Sequence, residues 1–515
     1  MINSVIHYQP SLTWELNLPQ SEYTAYIFEI LNLGKKYPEI IDRITTDLEQ
    51  YAKNKKQQRI KDRNWEKSQK TKLPGMESEP SAMEAEKREL QLENGRPRKM
   101  TALPTYLFLM SRGYMGVGVK NSEMTVFIEE SRTLQLILLS WGVDMPRPST
   151  ISENINCISE ATLNYIMDCQ LAEITETGLD NFKELYIDST AVSANSCYPK
   201  ESDLMSKIIH RLNQCREKLK LFGLEQKPNK RYLRIEKLVR KLSAKINMEC
   251  GKPKSVQKRR KWYRKIYLLV DGFTDRFEQE MAALTVEVEQ MDILPSKQQR
   301  LLHLTAKMKE DLESLTKIRR YSADRILLET QTAGKNKKAS ISDTGADFIK
   351  KGQRDTVIGY KPQLIRSKNG FVTEIEVPKG NTSDSEELLP VVTRSLERTA
   401  IIPDVLSADD GYTSYNNRKD LLELGIKIVS FSGSKGKKIT PAEDWESDAY
   451  QEARNQRSSV ESLMYTIKYN FDFNRVVRRG HLNVRKELIE KVLAYNFCRI
   501  ILEKRKPDSL RLEAA

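Results

Sequence analysis

Asp188, Asp409 and Glu461 are the acidic residues of this 515-residue chain whose settings suit chemistry. Asp188 ends the apolar, β-prone run Leu185-Tyr186-Ile187, which reads as a buried strand. A carboxylate inside a buried strand is costly, but at a strand end facing a cleft it can hold a cation or a proton. Asp409 follows a second such run, Asp404-Val405-Leu406-Ser407-Ala408. Glu461 lies in a helical stretch, Tyr450 to Tyr469, with Arg457 four residues before it and Lys468 seven after it, on one helical face. Taken singly, each has a plain structural role: Asp188 as a turn cap, Glu461 as the partner of Arg457 in a surface ion pair. Brought together, three carboxylates repel one another unless a cation sits among them. Oxygen-only ligands suit Mg²⁺ or Mn²⁺ rather than zinc, and two such ions can drive phosphodiester chemistry. Arg457 and Lys468 would then hold phosphates beside the cluster.

Composition points to a polyanionic partner. The net charge is +14, with 30% charged and 39% hydrophobic residues, so the chain can bury sizeable cores under a basic surface. From Ser206 to Val270 there are 21 Lys and Arg against 4 Asp and Glu, a surplus above that of the whole chain. Lys258, Arg259, Arg260, Lys261, Arg264 and Lys265 interleave there with Trp262, Tyr263 and Tyr267. Several phosphate contacts would give tight, salt-sensitive DNA binding; the plain alternative is a solvated helix face. Six scattered cysteines without C-x-x-C argue against a zinc site and a disulfide framework. The start of the chain has no signal-peptide pattern, and the longest apolar stretch, Leu134 to Val143, is about half of a membrane span. The expectation is a cytoplasmic, nucleoid-associated protein with no membrane partner.

The elements that must position the acids follow from the pattern. Residues 1–52 read as a helical lead-in and 53–100 as a charged linker. Within that linker, Gly95-Arg96-Pro97-Arg98 is either a minor-groove arm or a solvated segment. Residues 101–178 read either as a helix-turn-helix-like DNA-binding domain or, equally, as a small helical bundle without DNA contacts. It has helices at Leu103–Met110 and Thr125–Leu139, and a capping box, Thr150-Ile151-Ser152-Glu153, opens a helix to about Cys169. Residues 201–335 form a basic helical insertion, with Pro295 dividing two helices and Leu301, Leu304, Met308, Leu312 and Leu315 as an apolar stripe. Strands Thr356–Arg366 and Phe371–Val377 flank the hairpin signal Asn369-Gly370. After them come a helix at Asp384–Glu397, the strand before Asp409, a helix at Tyr415–Leu424, a strand at Ile426–Phe431, and a Gly- and Lys-rich loop at Ser432–Lys438. Residues 179–200 and 336–505 would thus form one catalytic domain. Three strands in antiparallel succession followed by two βα units is the order of an α/β RNase H-like core with a mixed five-stranded sheet. In that order the first and fourth strands are parallel neighbours, so Asp188 and Asp409 leave one sheet edge together.

The chain resembles the DDE transposases of bacterial insertion sequences, close to the ISNCY-like group. The matching text is Tyr186-Ile187-Asp188-Ser189-Thr190, Gly359-Tyr360-Lys361-Pro362, Gly380-Asn381 with Asp384, Ala408-Asp409-Asp410-Gly411-Tyr412, and Arg457-Ser458-Ser459-Val460-Glu461 with Lys468. The last is similar to the family's Y-R-E-K signature, with Arg454 where its Tyr would stand. The resemblance implies catalytic and metal-holding roles for Asp188, Asp409 (rather than Asp410) and Glu461. It also implies Mg²⁺ or Mn²⁺ as cofactor, and cleavage and strand transfer at element ends. The partners implied are terminal inverted repeats and target DNA, with a homodimer in the synaptic complex. The alternative is a catalytically silent DNA-binding regulator descended from such an enzyme.

Overall fold

The computed structural model describes residues 21–71, 100–116, 121–196, 200–224, 230–252, 254–330, 337, 339–350 and 356–506. The basic arm at 95–98 lies outside them. The described residues fall into two compact units, one within Met1–Tyr51, Gln91–Asn195 and Ile349–Ala515, the other within Ala52–Leu90 and Ser196–Phe348.

The chain opens with α1 (Glu22–Lys36), where the Ser21 side chain accepts the Thr24 N–H at 3.1 Å. Helix α2 (Glu39–Thr71) then runs through residues 53–71, which read as linker in the sequence. Their Lys, Gln, Arg and Glu are good helix formers even without an apolar face. Next come α3 (Ala102–Met115), α4 (Asn121–Glu130), α5 (Arg132–Ser140), α6 (Pro148–Cys157) and α7 (Glu160–Glu176). Two expected helices are each divided by a serine cap. Ser131 accepts the Leu134 N–H at 3.4 Å, and Ser159 accepts the Thr162 N–H at 3.1 Å. The Thr150 capping box does not start a helix, because Pro148 already occupies the first turn, where its missing N–H costs nothing.

Strand β1 (Glu184–Ser189) is followed by β2 (Val192–Ser193) and the helices α8 (Glu201–Lys218), α9 (Lys230–Glu249), α10 (Val256–Gln290) and α11 (Pro295–Leu327). These four helices pack on one another around Ile208, Leu212, Tyr232, Phe273, Phe277 and Leu315. The expected apolar stripe on α11 is core: Leu301, Met308, Leu312 and Leu315 are buried and Leu304 is partly buried.

The chain then forms β3 (Asp347–Ile349), β4 (Val357–Tyr360), β5 (Gln363–Ser367) and β6 (Val372–Glu376). The single strand expected at 356–366 is two strands. Pro362 separates them, and β4 leaves the main sheet to pair antiparallel with β2. After α12 (Asp384–Thr399) come β7 (Val405–Ala408), α13 (Tyr415–Glu423) and β8 (Ile428–Phe431). The main sheet has the order β6-β5-β1-β7-β8. β5 is antiparallel to β1 and β6, while β7 is parallel to β1 and β8. This mixed five-stranded sheet is compatible with an RNase H-like core.

The chain ends in α14 (Ser434–Ile439), α15 (Ala442–Glu446), α16 (Asp448–Gln456), α17 (Ser459–Asn470) and α18 (His481–Lys504). α18 is buried along most of its length and packs against α3 and α7. Its acids are matched in the core: Glu490 pairs with Arg112 at 2.5 Å and Arg478 at 2.8 Å, and Glu487 pairs with Lys491 at 3.1 Å.

Candidate active site

The parallel pairing of β1 and β7 sets the position of the first two acids. Ile187 stands opposite Ala408, the last pair of that ladder, so Asp188 and Asp409 are the next residue of each strand. Neighbouring strands lie about 4.8 Å apart, and residues in register share a face. Asp188 is buried, and its Oδ1 accepts the Ser189 N–H at 2.7 Å. Asp409 Oδ1 accepts the Asp410 N–H at 2.8 Å and the Ser432 hydroxyl at 3.2 Å.

Asp410 has a different occupation. Its Oδ1 accepts the backbone N–H groups of Lys435 and Gly436, both at 3.0 Å. These bonds cap α14, so the stretch read as a Gly- and Lys-rich loop is helical from Ser434. Gly433 makes this possible: its φ is +104°, and a Cβ there would lie 2.7 Å from Asp410 Cγ.

A buried polar group stands behind the two aspartates. Tyr412 donates its hydroxyl to Gln363 Oε1, and Gln363 Nε2 donates to Asp384 Oδ1 at 2.8 Å. Lys361 Nζ pairs with the same Asp384 oxygen at 2.9 Å and donates to the Thr382 carbonyl at 3.2 Å. Burial, then the charges of Asp384 and Asp188 and, more weakly, Asp409, push the Tyr412 phenol well above its ordinary value, so it stays a donor. Lys361, Asp384 and Tyr412 stand in the motifs of the sequence, but their joint role was not read from it. Gln363 carried no signal beyond its place after Pro362.

Glu461 is set apart. The helix expected over Tyr450–Tyr469 breaks at Arg457-Ser458 into α16 and α17. α17 packs through Val460, Leu463, Met464 and Ile467, and Glu461 lies about 110° from the middle of that face at 100° per residue. Its side chain is 68% exposed and faces Arg457 Nη2 at 3.5 Å. Lys468 is half-buried near the end of α17. Among the described residues, no three His, Cys, Asp or Glu side chains are grouped so that they could hold a metal ion. Asp188 and Asp409 suit a hard divalent cation by donor type; Glu461 does not join them in this arrangement.

In the other unit, the basic residues divide by face. Tyr263 and Tyr267 are buried in the helical core, so the aromatic interleaving read from the sequence is the packing side of α10. Trp262 is partly buried, with Lys258 Nζ 5.4 Å and Lys245 Nζ 6.0 Å from its ring centroid. Lys258 also pairs with Glu249 at 3.4 Å, and Arg260 pairs with Glu329. Lys261, Arg264 and Lys265 are exposed, and Arg259 is half-buried. No membrane-length apolar helix occurs among the described residues.

Residues 315–497 match the family model of the transposase DDE domain. The match covers less than half of the chain and supports a DDE transposase. It includes Asp409 and Glu461 and begins after Asp188. No curated protein and no solved structure matches the chain.

Proposed function

We propose that the chain is a transposase that binds the ends of its own element and cleaves and joins DNA there with Mg²⁺ or Mn²⁺. The observation that supports this most is the parallel register of β1 and β7, which sets Asp188 and Asp409 side by side at one end of the sheet. These two aspartates would hold the cation, whose charge would stabilise the oxygens of the phosphodiester that gain charge during cleavage. The protein's own part is to hold both carboxylates at fixed strand ends. Lys361, Gln363 and Tyr412 keep the neighbouring Asp384 hydrogen-bonded and neutralised, so that it does not compete for the cation. Glu461 would be the third acid, reaching the pair by a movement of α17 when DNA binds. Arg457 and Lys468 would hold phosphates. The ISNCY-like group remains the best description of the motifs.

Lys258, Arg259, Arg260, Lys261, Arg264 and Lys265 would contribute sequence-independent affinity for duplex DNA. A homodimer would bring two element ends together. The silent regulator is the second reading, favoured by the exposed, ion-paired state of Glu461. The test is Mg²⁺-dependent cleavage of a duplex carrying the inverted repeats that flank the coding sequence. Cleavage supports the enzyme; binding without cleavage in Mg²⁺ or Mn²⁺ supports the regulator.

A further inference from the structure

Between α17, α18 and the β5–β6 hairpin lies an open cavity of ≈ 430 Å³. Arg366 of β5 and Arg499 of α18 both line it. They converge at Gly370, whose φ is +91° and where a Cβ would lie 3.2 Å from Arg499 Nε and 3.4 Å from Arg366 Nη2. Arg499 is already engaged: Nε donates to the Asn369 carbonyl at 2.7 Å, and Nη2 pairs with Glu503 at 2.6 Å. Arg366 is not. Its Nη2 reaches only the Lys368 carbonyl at 3.4 Å, and its buried Nε and Nη1 have no hydrogen-bond partner among the described residues.

A buried donor without a partner costs free energy, and a second guanidinium alongside adds repulsion. Burial is the main reason that Arg366 falls below its ordinary value, and the charge of Arg499 pulls the same way. An anion in the cavity would offset the repulsion between the two guanidinium groups and compensate the charge of Arg366. One acid, Glu22, stands on the lining, 3.6 Å from Arg505. Tyr114 and Tyr495 give the cavity aromatic walls, and Thr466 stands on its α17 side. Arg366 is in register with Tyr186, two residues before Asp188 on the same sheet face.

We propose that this cavity is a phosphate-binding site, with Arg366 as the principal donor and Arg499 as its neighbouring charge. Guanidinium groups match phosphate oxygens in geometry and charge. The phosphate belongs either to DNA or to a free nucleotide, and the site stands whether or not the aspartates catalyse cleavage.

The experiment is thermal unfolding of the full chain, with inorganic phosphate replacing chloride at fixed ionic strength. Phosphate raises the wild-type Tm with concentration, as expected for a ligand of the native state. In Arg366→Gln the affinity falls about tenfold or more, and Arg366→Lys keeps part of it. Thr466→Phe fills the cavity from α17 and abolishes the rise with Arg366 intact, which decides the matter if Arg366→Gln does not fold. A DNA source makes Arg366→Gln lower the slope of log affinity against log salt by about one. A free-nucleotide source leaves that slope unchanged and makes dAMP stabilise the wild type more than inorganic phosphate does. No rise in the wild type, or an equal rise in wild type, Arg366→Gln and Thr466→Phe, would overturn the proposal.

Discussion

Asp410 and Gly436 are joined through one oxygen: Asp410 Oδ1 accepts the Gly436 N–H at 3.0 Å and so caps the helix that follows β8. The neighbouring Asp409 is the one that continues β7 beside Asp188. The two adjacent aspartates therefore predict different variants. Asp410→Ala should destabilise the protein by about 0.5–2 kcal/mol, the usual cost of a lost cap, and leave cleavage near normal at low temperature. Asp409→Ala gives up its own bonds to the Asp410 N–H and the Ser432 hydroxyl, at a similar cost in stability, and should remove cleavage. Urea unfolding and a cleavage assay on both variants check this, and the reverse pattern would assign the site to Asp410.

The Tyr412–Gln363–Asp384 chain should hold its neighbours in position through its hydrogen bonds. Tyr412→Phe keeps the ring but leaves Gln363 Oε1 without its donor in a buried setting. An unsatisfied buried acceptor costs about 1–3 kcal/mol. We expect that loss in denaturant unfolding, with slower single-turnover cleavage by the folded fraction. A Tyr412→Phe protein with wild-type stability would mean that the hydroxyl is not structurally used.

Glu490 gives a pH dependence with a definite sign. Burial raises its carboxyl pKa, but the charges of Arg112 and Arg478 outweigh that and hold it below the ordinary value. A depressed carboxyl pKa contributes stability that is present above the unfolded value, about 4.3. That stability is lost as pH falls through the lower folded value. Stability should therefore fall below about pH 4. Glu490→Gln should flatten that acid limb and lower stability at neutral pH by about 3–5 kcal/mol, because the buried Arg112 and the half-buried Arg478 lose their partner. Unfolding curves between pH 3 and 7 decide it.

The basic insertion should act through its uncommitted cations. Lys258 and Arg260 already have acidic partners, whereas Lys261, Arg264 and Lys265 are exposed on α10. Reversing those three to Glu should reduce the slope of log affinity against log salt by about 0.9 for each phosphate lost. An unchanged slope would make this face solvated surface only.

Arg457 and Lys468 separate two outcomes. If they clamp phosphates, Arg457→Ala and Lys468→Ala should each slow single-turnover cleavage about 10²-fold, with little change in cation affinity. If Arg457 only pairs with Glu461, its loss should cost about 0–1 kcal/mol of stability and leave the rate unchanged.

The sheet was legible because its strands are short apolar runs ending at acids or turn residues, as at Leu185–Asp188 and Val405–Asp409. What sequence could not resolve was local interruption. Ser131 and Ser159 are ordinary polar residues until their hydroxyls cap a new helix, and Arg457-Ser458 carries no breaker to announce the end of α16. Pro362 did carry such a signal, yet the pairing of β4 with β2 depends on residues far apart in sequence. The spacing of Arg457, Glu461 and Lys468 fits one unbroken helix. The break, and the packing of Val460 and Leu463, turned Glu461 outward.

We propose that Asp188 and Asp409 together make the catalytic centre. The most direct test is Mg²⁺-dependent cleavage of end-labelled element-terminus DNA, pre-bound to wild type, Asp188→Asn or Asp409→Asn. We predict cleavage by the wild type and none by either variant, with DNA affinity within about twofold of wild type. Wild-type cleavage rates in either variant would show that the two aspartates do not form the catalytic centre.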